Sequence, residues 1–251
     1  MSIANSKRLV ILGATGPSGQ QLVRQALHRG HAVTAVVRNA SKFDEEVKNH
    51  KHFTAATVTD ISSADQLSPH FANCDVVLSA LGYRGPLRKI FMGPRLDFYL
   101  NSGKAILEAM KRHDVKRLVV ITSWLTKPDP GTPWMMKLFI RLMGIQPVLD
   151  DMGRMEDMFL SEPGGIQFTA VRPPGLLDGD VTDRPIVTMV DTQLIPNDRC
   201  QTNNYGTPMM PRADVARFML DVVEGRMGAS GGFIGTYCSH DDGGNMRRTA
   251  L

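Results

Sequence analysis

The sequence predicts a single α/β domain over residues 1–239, a doubly wound, mostly parallel sheet with helices on both faces, followed by a polar tail over 240–251. Three observations carry this expectation. Short β-branched runs alternate with amphipathic stretches along the chain. A turn with three glycines joins the first run to the first amphipathic stretch, and a second run follows at the spacing of a βαβ unit. The length of 251 residues suits one domain and buries a full core.

Leu9–Leu12 is apolar and short, as a buried strand is. Gly13–Gly19 is the turn. Gln20–Arg29 places Leu22, Val23, Ala26 and Leu27 on one helical face, and Gly30 stands where a helix is closed by glycine. Ala32–Val37 is the second strand and Phe53–Val58 a weaker third. Asp75–Ala80 is a strand running into the loop Leu81-Gly82-Tyr83-Arg84-Gly85. A long helix over Asp97–His113 precedes a strand over Leu118–Thr122. Met152–Leu160 is a helix, Phe168–Val171 a strand, Asp214–Glu224 an amphipathic helix and Gly232–Cys238 a last strand. The polar, glycine-rich residues 240–251 predict a disordered tail.

Composition narrows the class. The hydrophobic share of 42% and charged share of 22% are those of a globular chain. A net charge of +4 with scattered cations argues against nucleic acid and is compatible with a phosphate-rich small ligand. Three well-separated cysteines, Cys74, Cys200 and Cys238, suit neither a disulfide framework nor a zinc site, and the seven histidines show no metal spacing. No apolar run reaches a membrane span and no apolar leader opens the chain, so the expectation is a cytoplasmic protein with no membrane span.

The glycine turn carries the chemistry. Gly13, Gly16 and Gly19 allow a tight turn, close approach of a pyrophosphate and close packing of the helix on the strand. The N–H groups and dipole of the following helix attract phosphate, and Thr15 and Ser18 add hydroxyls. The second strand ends in Arg38 rather than a carboxylate. A carboxylate there would accept from a ribose 2′-hydroxyl; a guanidinium pairs instead with a 2′-phosphate. Lys42 stands close enough in sequence to assist. The expected cofactor is therefore NADP (NADPH).

"GATGPSGQQL", "VVRN", "LGYR", "VVITS", "DDMGRME", "VRPPGLLDGD" and "RADVARFML" together resemble the atypical, NmrA-like branch of the short-chain dehydrogenase/reductases. Within it, the similarity is to the biliverdin-IXβ and NADPH-dependent flavin reductases. The resemblance runs from Leu9 to about Tyr237. It implies a Rossmann-type fold in which Gly13, Thr15, Gly16, Pro17, Ser18 and Gly19 hold the pyrophosphate and Arg38 and Lys42 the 2′-phosphate. Asp60 and Ile61 would flank the adenine, and Leu81, Gly82 and Arg84 would follow the ribose and phosphates. Ser123 would stand beside nicotinamide and substrate as the catalytic-side residue. Pro173, Pro174, Gly175 and Leu176 would pack at the nicotinamide end. Two departures lie on the substrate side. The group has a histidine where this chain has Gly175, and the stretch from Ser123 to Asp150 is longer here.

The implied activity is NADPH-dependent reduction of a flavin (FMN or FAD as substrate), a quinone or a biliverdin-like ring. The alternative is a dinucleotide-binding redox sensor without turnover. None of the four tyrosines, Tyr83, Tyr99, Tyr205 and Tyr237, has a lysine four residues on, so the Tyr-x-x-x-Lys route to an alcohol is missing. Hydride transfer to a conjugated ring needs positioning rather than that acid. Arg154 and Glu156 are read either as an ion pair or as site lining. Asp150 and Asp151 are read as the N-terminal cap of their own helix. The apolar stretch Pro133–Pro147 is open between a lid, an oligomer contact and a buried helix. The partner expected is a small-molecule acceptor, with a monomer or small homo-oligomer as the assembly.

Overall fold

The computed structural model describes residues 6–85, 95–126, 134–163, 165–173, 175–182, 186–191, 209–226 and 232–238. The expected tail over 240–251, Cys200 and Pro174 lie outside them. β1 (Arg8–Leu12), α1 (Pro17–His28) and β2 (Ala32–Val37) form the first βαβ unit. α2 (Glu45–Lys48), β3 (Phe53–Thr57), α3 (Ala64–Leu67) and β4 (Val76–Ser79) follow. Then come α4 (Phe98–Arg112), β5 (Arg117–Ile121), α5 (Trp134–Leu142), α6 (Gln146–Leu160) and β6 (Gln167–Arg172). β7 (Gly175–Leu177), β8 (Ile186–Asp191), β9 (Met209–Pro211), α7 (Arg212–Val223) and β10 (Gly232–Cys238) complete the described elements.

Eight strands make the main sheet in the order β3-β2-β1-β4-β5-β6-β10-β8. Every pairing in it is parallel except that of β10 with the edge strand β8. The doubly wound α/β expectation is met. The chain winds outward from β1 to β3, returns to place β4 on the other side of β1, and continues to β6. The crevice between β1 and β4 is thus a topological switch point.

The central strands are buried on both faces, as parallel strands are. Leu9 and Ile11 of β1 pack into one cluster with Leu22, Val23 and Ala26 of α1 and Val215, Phe218 and Met219 of α7. Val10 and Leu12 face the other way, into a cluster with Leu67, Phe71, Ile106 and Met110 of α4 and Met155 and Phe159 of α6. Alternate side chains of one strand therefore build two cores.

α1 ends as its sequence predicts. Gly30 takes φ +81°, its N–H donates to Leu27 O at 2.9 Å, and His31 N–H donates to Ala26 O at 3.0 Å. That is the paired closure favouring glycine. The helix predicted over Met152–Leu160 begins earlier, at Gln146, because Pro147 falls in the first turn, where its missing N–H costs nothing. This moves Asp150 and Asp151 into the helix body, so they do not cap it. The short pair β7–β9, the edge strand β8 and the one-turn helices α2 and α3 carry too few residues for periodicity to reveal them.

Candidate functional site

The site follows from strand register. Leu12 pairs with Val36 on one side and Ser79 on the other. Ser79 pairs with Val120, and Val120 with Ala170. The residues just beyond these strands therefore line one edge of the sheet, in the spatial order Asp60, Arg38, Gly13, Leu81, Ser123, Pro173. Three inter-strand steps, about 14 Å, separate the β2 end from the β5 end.

Gly13 takes φ +72°, and a Cβ there would lie 2.4 Å from Ala80 O across the β1–β4 crevice. A Cβ on Gly19 would lie 2.2 Å from Gly13 O and 2.7 Å from Ala14 Cα, so α1 rests directly on the turn. Gly16 has more room, with its nearest neighbour, Gly13 O, at 3.2 Å from such a Cβ. Gly16 also stands at the N-cap of α1, where no side chain caps the helix. The first helical hydrogen bond runs from Gln20 N–H to Gly16 O at 2.8 Å. Pro17 has no N–H, so Ser18 and Gly19 present the donors of an uncapped first turn, with no carboxylate among them. Thr15 and Ser18 flank this turn.

Arg38 and Lys42 are exposed just past β2, and among the described residues neither makes an ion pair. Asp60 is also exposed, but its carboxylate is engaged locally, accepting from Ser62 N–H at 2.8 Å. Ile61 is half-buried against the second core cluster. Past β4, Leu81 packs against that same cluster, while Gly82 and Arg84 are exposed. Tyr83 N–H donates to the Tyr99 hydroxyl at 2.9 Å. Burial pushes the Tyr99 phenol up to about 12, the wrong direction for an acid working near neutrality.

Past β5 and β6 lies a network that sequence reasoning missed. Glu156 of α6 is fully buried. Its carboxylate accepts from Thr122 Oγ1 at 2.6 Å and Thr126 Oγ1 at 2.9 Å, and from Arg172 through Nε at 3.1 Å and Nη2 at 2.6 Å. The fork of Arg172 grips the carboxylate with two bonds. The ends of β5 and β6 are thereby tied to one helix. Ser123 lies inside the tied segment, half-buried; its Oγ accepts from Leu125 N–H at 3.4 Å and its carbonyl from Thr126 N–H and Oγ1. Trp124 N–H donates to Pro173 O at 3.3 Å, joining the two strand ends again. Gly175 and Leu176 begin β7, Leu176 packing on the first core cluster.

Arg154 and Glu156 do not pair with each other. Arg154 Nη1 binds Asp97 at 2.5 Å, while its Nη2 reaches Asp151 at 3.1 Å and also Leu96 O. Asp151 is fully buried and accepts from Tyr99 N–H at 2.7 Å and Leu100 N–H at 3.2 Å. It caps α4, not its own helix, and its burial holds the carboxyl above its ordinary value. The cap residue comes from 52 positions away, so no local pattern reveals it. Beside this corner lies a cleft of ≈ 540 Å³ lined by Thr126, Leu96, Pro147, Gly153 and Arg154, among others.

The buried-helix reading of Pro133–Pro147 is corrected. In α5 and the turn after it Ile140 is buried, yet Trp134, Met135, Leu138, Leu142, Met143 and Ile145 are all exposed. Among the described residues no group of carboxylates, thiols and imidazoles has the arrangement of a metal site. No helix among them is long and apolar enough to cross a membrane.

A model of NAD(P)H-binding proteins matches residues 13–226. The chain belongs to this NAD(P)H-binding family. It is 27% identical over 196 residues to an uncharacterized chloroplastic protein of Arabidopsis thaliana, covering 74% of this chain and 65% of that one. It is 23% identical over 224 residues to the photosystem II assembly factor Ycf39 of Synechocystis, covering 86% and 58%. The chain thus spans less than two thirds of the length of either relative. A short-chain dehydrogenase/reductase from Veillonella parvula, solved with NADP, superposes with a TM-score of 0.70 at 15% identity, over 93% of this chain and 95% of that one. A candidate NADH-flavin reductase from Streptococcus pneumoniae gives 0.65 at 18% identity, over 93% and 100%. These two likenesses establish the shared fold.

Proposed function

We propose that the chain is an NADPH-dependent reductase of a flat conjugated acceptor, with a flavin such as FMN the first choice and a quinone or biliverdin-like ring within the same class. The observation that carries this reading is the order of residues along the sheet edge. A side-chain-free glycine crevice and an uncapped helix start lie between exposed cations on one side and Ser123 with Pro173 on the other.

The crevice fits a dinucleotide. Gly13, Gly16 and Gly19 leave the backbone bare, the N–H groups of Ser18 and Gly19 donate to the pyrophosphate, and the hydroxyls of Thr15 and Ser18 stand beside it. Arg38 and Lys42 take the 2′-phosphate, which favours NADPH over NADH. Asp60 and Ile61 border the adenine. Leu81, Gly82 and Arg84 follow the phosphates, and Pro173, Gly175 and Leu176 close the nicotinamide end. When bound, NADPH supplies the hydride. Ser123 orients the nicotinamide or the acceptor through its hydroxyl, and the proton that completes reduction of the ring comes from solvent. Tyr99 takes no part, being buried and bound to the Tyr83 N–H. The name of the pneumococcal structural neighbour supports a flavin acceptor.

The test is NADPH oxidation with FMN, a quinone, biliverdin and a simple ketone. The expected result is turnover with at least one conjugated acceptor, none with the ketone, and no pH break from a tyrosine. Efficient ketone reduction with the three rings inert would overturn the reading. Tight NADPH binding with no turnover on any acceptor would favour a redox sensor instead.

A further inference from the structure

Six of the ten exposed large apolar side chains among the described residues lie between Trp134 and Ile145, which makes this segment a patch rather than scattered surface. The helical phase sharpens it. Ile140 anchors α5 to the protein, and at 100° per residue Trp134, Leu138 and Leu142 form a stripe on the opposite side. Trp134 is 72% exposed and Leu142 67%. Lys137 and Arg141, both exposed, run along one flank of the stripe. No carboxylate occurs from Trp134 to Ile145. Gly144, at φ +64°, lies in the turn that follows α5. Asp150, the first acidic residue after it, accepts from the Gln146 side chain at 2.7 Å.

The dimensions decide between occupants. Nine residues of helix span about 14 Å. A stripe of that length falls well short of the roughly 800 Å² per partner of a stable protein interface. Pairing α5 with a second copy would also bring together two sets of cations with no carboxylate on either helix to answer them. A bilayer makes neither demand. Apolar side chains enter the acyl boundary singly, tryptophan favours that depth, and lysine and arginine beside them meet anionic headgroups.

We propose that α5 is an interfacial helix that lays its Trp134–Leu138–Leu142 face onto an anionic lipid bilayer, with Lys137 and Arg141 on the headgroups. The helix lies on the membrane and does not cross it. α6 follows directly and lines the cleft through Pro147, Gly153 and Arg154, so docking sets the cleft beside the bilayer surface.

The test is flotation of the full chain with vesicles of phosphatidylcholine alone or mixed equally with phosphatidylglycerol, read with tryptophan emission and sedimentation. The wild type should float with the anionic vesicles only and be released by high salt. Its emission should shift to the blue, and the shift should disappear in Trp134→Phe. Trp134→Ser/Leu138→Ser/Leu142→Ser should lower partitioning by about tenfold or more while keeping the wild-type circular dichroism, since these side chains are exposed. Lys137→Gln/Arg141→Gln should abolish the preference for phosphatidylglycerol. Absence of binding to either vesicle overturns the proposal, as does a triple-serine variant that floats like wild type. A wild-type dimer that the same three substitutions convert to a monomer also overturns it, assigning the face to a second copy.

Discussion

The two halves of the sheet edge are built by opposite means. The β1–β2 half is made of backbone and exposed charge: bare glycines, an uncapped helix start, and Arg38 and Lys42 held by nothing among the described residues. The β5–β6 half is made of buried charge: a carboxylate, a guanidinium and two hydroxyls saturating one another beneath Ser123. The first half is shaped to receive polar groups from outside. The second satisfies its own and holds a surface in place. Substitutions should accordingly cost ligand affinity in one half and stability in the other.

The largest expected effect is on stability. Arg172→Met leaves Glu156 buried without its cation, which should cost about 3–5 kcal/mol in denaturant unfolding. Adding Glu156→Met should recover much of that loss, because an apolar pair replaces an ion pair whose desolvation is costly. A single substitution that leaves the unfolding midpoint unchanged would erase the contrast between the halves.

Gly16→Val acts the other way. Its Cβ meets only Gly13 O at 3.2 Å, so the fold should survive with a small loss. The side chain would nonetheless project where the pyrophosphate belongs, and NADPH binding should be lost in a titration. Gly13→Val should damage both properties, since φ is +72° and Ala80 O lies in the way at 2.4 Å. Full NADPH affinity in a folded Gly16→Val chain would move the pyrophosphate elsewhere. Smaller still, Arg38→Ala should weaken NADPH by about 1–3 kcal/mol, the range for hydrogen bonds to charged groups, and leave NADH nearly unaffected. Equal losses for both cofactors would remove the 2′-phosphate from Arg38.

The same contrast explains what the sequence discloses. The β1 turn is legible because its requirements are local: a strand, three glycines and a helix within one stretch, with Gly30 closing that helix. The β5–β6 half joins residues far apart in the chain. Thr122 and Glu156 are 34 positions apart, and Asp151 caps a distant helix by accepting from Tyr99 N–H, 52 positions earlier. Nothing in the spacing of these residues separates a cap of the local helix from a cap of a distant one. One faint signal existed in Glu156 itself, a carboxylate amid the apolar positions of an amphipathic helix, which is costly unless paired. α5 misleads for a related reason, since nine residues rich in methionine and leucine carry the same pattern whether the helix is buried or open.

One paired measurement tests the division of labour between the two halves most directly: NADPH affinity and FMN-dependent turnover on the same preparations of wild type, Arg38→Ala and Ser123→Ala. Arg38→Ala should weaken NADPH while leaving the rate at saturating cofactor close to wild type. Ser123→Ala should lower that rate without abolishing it and leave NADPH affinity unchanged, because the hydroxyl orients the reacting groups and does not deliver an obligatory proton. A Ser123→Ala chain that loses NADPH affinity as Arg38→Ala does, with its saturated rate intact, would contradict the account.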